Sequence, residues 1–226
     1  MGLVRSGLIV VGVGFTLFCG TLFLEERRGA DVVAAAESIR MRPSLWRDAS
    51  ERLDQYLGRV GPQEGCNSAY DSGLLTLELA RLDLSATGDQ AARDRQRTQL
   101  ESAEMRARHR LTCSPQDGQV WLYLAMLQSR LGTDDADIVR SLELSSWFAP
   151  HEAAVLKQRI RLATSLYARN VPGITDMLET DLLVFANQGR LSDLRDVMSE
   201  IGPTVAPILT TLPVSRDSSE RMEILG

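Results

Sequence analysis

VWLYLAMLQSRLGTDDADIVRSLELSSWF, residues 120–148, is the stretch on which the fold class turns. Its apolar residues recur at helical rather than strand spacing, and Gly132 provides a stop signal. Asp134 and Asp135 then open a second helix, placing negative charge where the helix macrodipole favours it. That helix runs through Ile138, Leu142 and Leu144 to Trp147-Phe148. A turn this short makes the two helices antiparallel partners.

Working outward, the same periodicity continues on both sides. Pro150 starts a helix that runs to about Arg169 and ends at Asn170-Val171-Pro172-Gly173, and further apolar-periodic segments fall at about 174–187, 191–200 and 203–212. Upstream, Trp46, Ala49, Leu53, Tyr56, Leu57 and Val60 form one stripe, with Ser44 placed to cap it and Gly61-Pro62 to end it. The segment 69–84 is apolar on more than one face through Leu74, Leu75, Leu77, Leu79 and Leu82, which implies burial between neighbours. After Gly88 comes a long arginine-rich helix, 89–112, with Leu100, Ala103, Ala107 and Leu111 on its inner side. No convincing strand pattern is present.

Pro115 and Pro150 lie 35 residues apart, each followed by a helix, and Trp121, Leu124 and Ala125 follow Pro115 with the W-x-x-L-G/A spacing. The block from Ala103 to Pro150 resembles tetratricopeptide (TPR) repeats, with Gln128 standing where that motif has tyrosine. The resemblance implies stacked antiparallel helix pairs and a groove for a protein ligand, with Trp121, Tyr123, Gln128 and Arg159 as the partner-binding residues. Trp121 and Trp147 are expected to fill gaps between layers. The stretch SLELSSWFAPHEAAVLKQRIRLA, residues 141–163, is also similar to a block in small membrane-anchored bacterial repeat proteins that act beside surface-polysaccharide assembly.

GLIVVGVGFTLFCGTLFL, residues 7–24, carries no charge and as a helix would span about 27 Å, close to the hydrocarbon thickness. A cleaved signal peptide has a shorter apolar core followed closely by a small-x-small site. Here Glu25-Glu26-Arg27-Arg28 follows directly, which favours an uncleaved anchor. Gly12, Thr16 and Gly20 share one face of that helix and would admit a second helix. The expected fold class is therefore all-α: an N-terminal single transmembrane helix followed by a TPR-like α-solenoid of antiparallel helix pairs. Its parts are a short cytoplasmic tail (1–6), the signal anchor (7–24), a connector (25–43), the helical-repeat domain (44–212) and a flexible C-terminal tail (213–226).

Of the cysteines, Cys19 lies in the apolar stretch, whereas Cys66 precedes the helix at 69–84 and Cys113 ends the next one. A bridge between Cys66 and Cys113 would add roughly 4 kcal/mol in the chain-entropy model and would place the body outside the cytoplasm. Arginine counting, Arg5 on one flank against Arg27, Arg28, Arg40 and Arg42 on the other, favours a cytoplasmic body. The six-residue amino-terminal tail and an oxidised cysteine pair favour the opposite, and the expectation is a single-pass protein of the bacterial inner membrane with a periplasmic body.

Composition narrows the chemistry. With 25 Lys+Arg against 30 Asp+Glu and a formal charge of -5, the chain lacks the clustered cationic face that nucleic-acid binding needs. Arg93, Arg95, Arg97, Arg106, Arg108 and Arg110 are interleaved with Asp94, Glu101 and Glu104, which reads as a solvated helix face. No phosphate-loop, nucleophile-elbow or zinc-protease motif occurs. His109 and His151 have no ligand-spaced partner, and Asp134, Asp135 and Asp137 lack the rest of a calcium loop. No catalytic residue, metal, cofactor or small-molecule substrate is expected. The expected function is a membrane-anchored protein-interaction or scaffold module, with envelope or surface-polysaccharide assembly as its setting. The alternative is a structural subunit of a membrane complex acting mainly through its transmembrane helix.

Overall fold

Helix is the only regular structure among the described residues, 29–42, 50–60, 65–84 and 89–211, of this computed structural model. The helices are α1 (29–41), α2 (Ser50–Arg59), α3 (Ser68–Leu84), α4 (Gln90–Cys113), α5 (Gly118–Leu131), α6 (Asp135–Phe148), α7 (Ala153–Ala168), α8 (Ile174–Gln188) and α9 (Leu191–Leu209). The chain divides into two compact units, Met1–Gln99 and Leu100–Gly226, the boundary falling within α4.

The expected N-terminal transmembrane helix requires correction. Among the described residues no helix is long and apolar enough to cross a membrane. Residues 7–24, with Gly12, Thr16 and Gly20, lie outside the described residues, as do the tails 1–6 and 213–226 and the upstream part of the second stripe, Ser44, Trp46 and Ala49. All-α is the part of the expected fold class that the described residues carry.

In the first unit, residues assigned to a connector include a helix, α1. Val32, Ala36 and Ile39 fall at i, i+4 and i+7, so one face of α1 is apolar, and they pack with Leu53 and Leu57 of α2 and Tyr70, Leu74 and Leu77 of α3. Gly73 lets α1 and α3 approach: a Cβ there would sit 2.9 Å from Val32 Cγ1. The start of α3 is closed by a reciprocal cap. Asn67 Oδ1 accepts the Tyr70 amide at 3.1 Å while Asp71 Oδ2 accepts the Asn67 amide at 3.1 Å, satisfying two donors that the first turn leaves over.

In the second unit, α5, α7 and α9 stack in order on one another, and α6 and α8 pack together beside them. The core is built of Leu122, Ile138, Leu142, Ile160, Leu166, Leu178, Phe185 and Val197, each almost wholly removed from water. The expected stop and start signals operate through identifiable bonds. Gly132 adopts φ 73°, and the amides of Gly132 and Thr133 return to the carbonyls of Ser129 and Gln128. Asp134 Oδ1 accepts the Ala136 amide at 2.8 Å, and Asp117 Oδ1 caps α5 through the Val120 amide at 3.2 Å. α7 begins at Ala153 rather than at Pro150.

The expected break between 191–200 and 203–212 does not occur, since α9 runs through Pro203 and Pro207. These prolines are four apart and exposed, opposite the buried Ile201, Val205 and Ile208. The carbonyls that lose an amide partner to them therefore face water, which limits the usual cost of an internal proline.

Candidate functional site

At the junction of α6, α7 and α8 a polar knot lies inside the apolar core. Arg159 is fully buried, and its Nε and Nη2 donate to Asp181 Oδ2 and Oδ1 at 2.6 and 2.8 Å. Nη1 donates to the Ala149 carbonyl at 3.1 Å and, more distantly, to Ser145 Oγ at 3.4 Å. Ser146 adds a hydrogen bond to Asp181. Burial pushes the Asp181 carboxyl above its ordinary range, against the opposing hydrogen bonds and charge of Arg159 and the hydrogen bond of Ser146. The knot thus ties the last turn of α6 to α7 and α8.

Directly above Ser146 an open cleft of about 410 Å³ runs between α6 and α8. Arg140, Glu143, Leu144 and Trp147 recur at i, i+3, i+4 and i+7 and form one wall, and Met177 and Thr180 form the other. Trp147 is 82% exposed and Phe148 37%. An aromatic side chain this large is seldom left so open to water. The expectation that Trp147 fills an interior gap is corrected: the buried stripe of α6 passes through Ile138, Val139, Leu142 and Ser145, and Trp147 projects away from it.

A second, smaller cleft of about 240 Å³ lies between α5 and α7, lined by Met126, Ser129, Arg130, Gln158, Arg161 and Leu162. It lies on the two helices named from the sequence, but on other residues. Gln128 is buried and accepts the Ser141 hydroxyl at 2.8 Å, so it and Arg159 have no surface to offer a partner. Both are corrected from ligand-facing to internal, because each falls on the buried stripe of its helix and is satisfied there. Trp121 is half-buried with its indole N–H donating to the Pro115 carbonyl at 2.8 Å, and the Tyr123 hydroxyl accepts from Gln119 Nε2 at 2.6 Å. The four are not gathered at one surface. Trp147, missed as a site residue, has a signal in the sequence: it is an aromatic out of phase with the apolar stripe of its own helix.

The remaining candidates have local explanations or lie in separate units. Asp134 caps α6, and Asp135 pairs with Arg169 at 2.8 Å across the surface. Cys66 precedes α3 in the first unit, and Cys113 ends α4 in the second. Their pairing stays an expectation from the sequence, to be tested by peptide mapping without reduction.

Compared with known proteins, the chain matches no family model, no curated protein and no solved structure.

Proposed function

We propose that the second unit is a protein-interaction module and that the α6–α8 cleft is its docking surface, with Trp147 as the anchor. The observation that carries this reading is the 82% exposure of Trp147 beside an apolar cleft. Binding energy at protein interfaces concentrates in a few aromatic and arginine side chains, and Trp147 and Arg140 stand on the same helix face. Ser146, which lines the cleft, hydrogen-bonds Asp181 of the buried Arg159–Asp181 pair, so α6 and α8 are tied together beside the cleft before a partner arrives. The tetratricopeptide likeness of residues 103–150 supports the same class of function. The absence of a recognisable catalytic motif leaves binding as the simplest role for such a surface.

Site-specific photo-crosslinking tests it. A photoreactive residue at position 180, on the cleft wall, is expected to give a discrete protein adduct in cells, and W147A is expected to abolish that adduct. Labelling at 180 no stronger than at exposed position 165 on α7, or adducts indifferent to W147A, would refute the docking role.

A further inference from the structure

Resting on that docking role, we infer that the occupant of the α6–α8 cleft is the same face of a second copy of this chain. The wall of α6 presents, in order, a cation (Arg140), an anion (Glu143), an apolar side chain (Leu144) and an aromatic one (Trp147). Arg140 and Glu143 are three residues apart, yet among the described residues neither makes an ion pair with the other or with anything else. Arg161, Arg169 and Lys157 of the same unit pair internally with Glu200, Asp135 and Asp193.

A cleft built for an acidic or a basic segment would carry an excess of one sign. This one carries one charge of each sign, so its charge complement is its own sequence in reverse. A two-fold axis through the midpoint of the stripe supplies that reversal. With the two copies of α6 antiparallel, position 140 falls opposite position 147 of the second copy, and 143 opposite 144. The Arg140 guanidinium then lies over the exposed Trp147 ring of the other copy, the preferred partners for a cation–π contact. Glu143 of that copy is about one helical turn from the same guanidinium. The symmetry makes every contact twice. Met177 and Thr180 on α8 provide the second wall of the groove that receives the incoming α6.

The two tryptophans together would cover roughly 300–500 Å². A stable interface needs ~1,200 Å², so the other cleft residues have to supply more than half of the buried area.

The test uses two differently tagged full-length copies co-expressed in cells, with the photoreactive residue at position 180 of one. A tag-to-tag adduct is expected, and W147A should lower its yield by at least about tenfold, the loss of one hot-spot aromatic. Trp147 is so exposed that its removal leaves the helical signal and melting temperature as controls on folding. R140E and E143R should each weaken self-pairing. The two variants together should cross-pair more than either pairs with itself, because one stripe is then all acidic and the other all basic. A heterologous adduct without a self-adduct would overturn this inference and keep the docking role. A self-adduct indifferent to W147A and to the charge variants would overturn the geometry, and no adduct of any kind would overturn both.

Discussion

Replacing Asp181 by leucine removes both acceptors of the bidentate pair and leaves the Arg159 guanidinium, fully buried, holding only the Ala149 carbonyl and the distant Ser145 hydroxyl. Arginine has no neutral form to adopt at any accessible pH, so the uncompensated charge must be borne by the fold. Breaking one side of a buried pair costs about 3–5 kcal/mol. For a chain of this size that lowers Tm by roughly 6–20 °C. Asp181→Asn is the informative contrast, because it keeps an oxygen facing Arg159 and loses only the charge assistance, at a cost of about 1–2 kcal/mol. Arg159→Met combined with Asp181→Leu removes both charges and should return to within about 2 kcal/mol of the parent, since apolar replacement of a buried pair is often neutral. The coupling between the two positions is then large and favourable, as expected of groups in direct contact.

Urea melts of the four proteins, repeated across pH, give all of these quantities. The pH dependence has a definite sign. Burial holds the folded pKa of Asp181 above its unfolded value, so the native state binds that proton more tightly. The associated stability is complete below the unfolded carboxylate pKa and is lost as pH rises through the raised folded value. The parent should therefore lose stability relative to Asp181→Asn over that rise. Equal damage from Asp181→Leu and Asp181→Asn, a double variant as unstable as Asp181→Leu, or the opposite pH slope would refute the reasoning.

Three glycine substitutions probe the backbone in the same denaturation assay. Gly132→Ala meets nothing within 4 Å, so its expected loss of about 1–2 kcal/mol comes from the left-handed backbone alone. Gly118→Ala would place its Cβ 2.6 Å from Ala149 Cβ and 2.7 Å from the Ala149 amide nitrogen. The backbone has to yield there, so the expected loss is about 3 kcal/mol or more. Gly73→Ala, whose Cβ would lie 2.9 Å from Val32 Cγ1, should cost about 1–3 kcal/mol and be partly relieved by Val32→Ala, which opens the required space.

Where local chemistry decides the backbone, the sequence was readable. Gly132 acts through the left-handed backbone that glycine admits and Asp134 through its carboxylate, and the pairing of α5 with α6 follows from the short turn between them. The two misreadings of helix extent have one origin. In α1 the stripe of Val32, Ala36 and Ile39 is short and set among alanines, which favour helix but mark no face, and it is the packing on α2 and α3 that defines the buried side. In α9 the two segments 191–200 and 203–212 are one helix, and Pro203 and Pro207 are tolerated within it because both occupy the outer face.

The site was misread for a related reason, because the groove implied by the repeat resemblance was assigned residues without regard to their phase on each helix. Arg159 recurs with Val155, Leu156, Ile160 and Ala163, and Asp181 with Ile174, Leu178, Leu182 and Phe185, so each sits on the buried stripe of its helix. Two opposite charges on buried stripes of adjacent helices have one economical arrangement, which is to neutralise each other inside. Phase along the helix outranks residue type here because each charge meets its counter-charge on the neighbouring buried stripe, so neither is desolvated alone. The same rule applied to an aromatic gives the converse result. Trp147 is apolar but out of phase with Ile138, Leu142 and Ser145, so the fold leaves it outside, and the free energy of covering it remains available to whatever docks there.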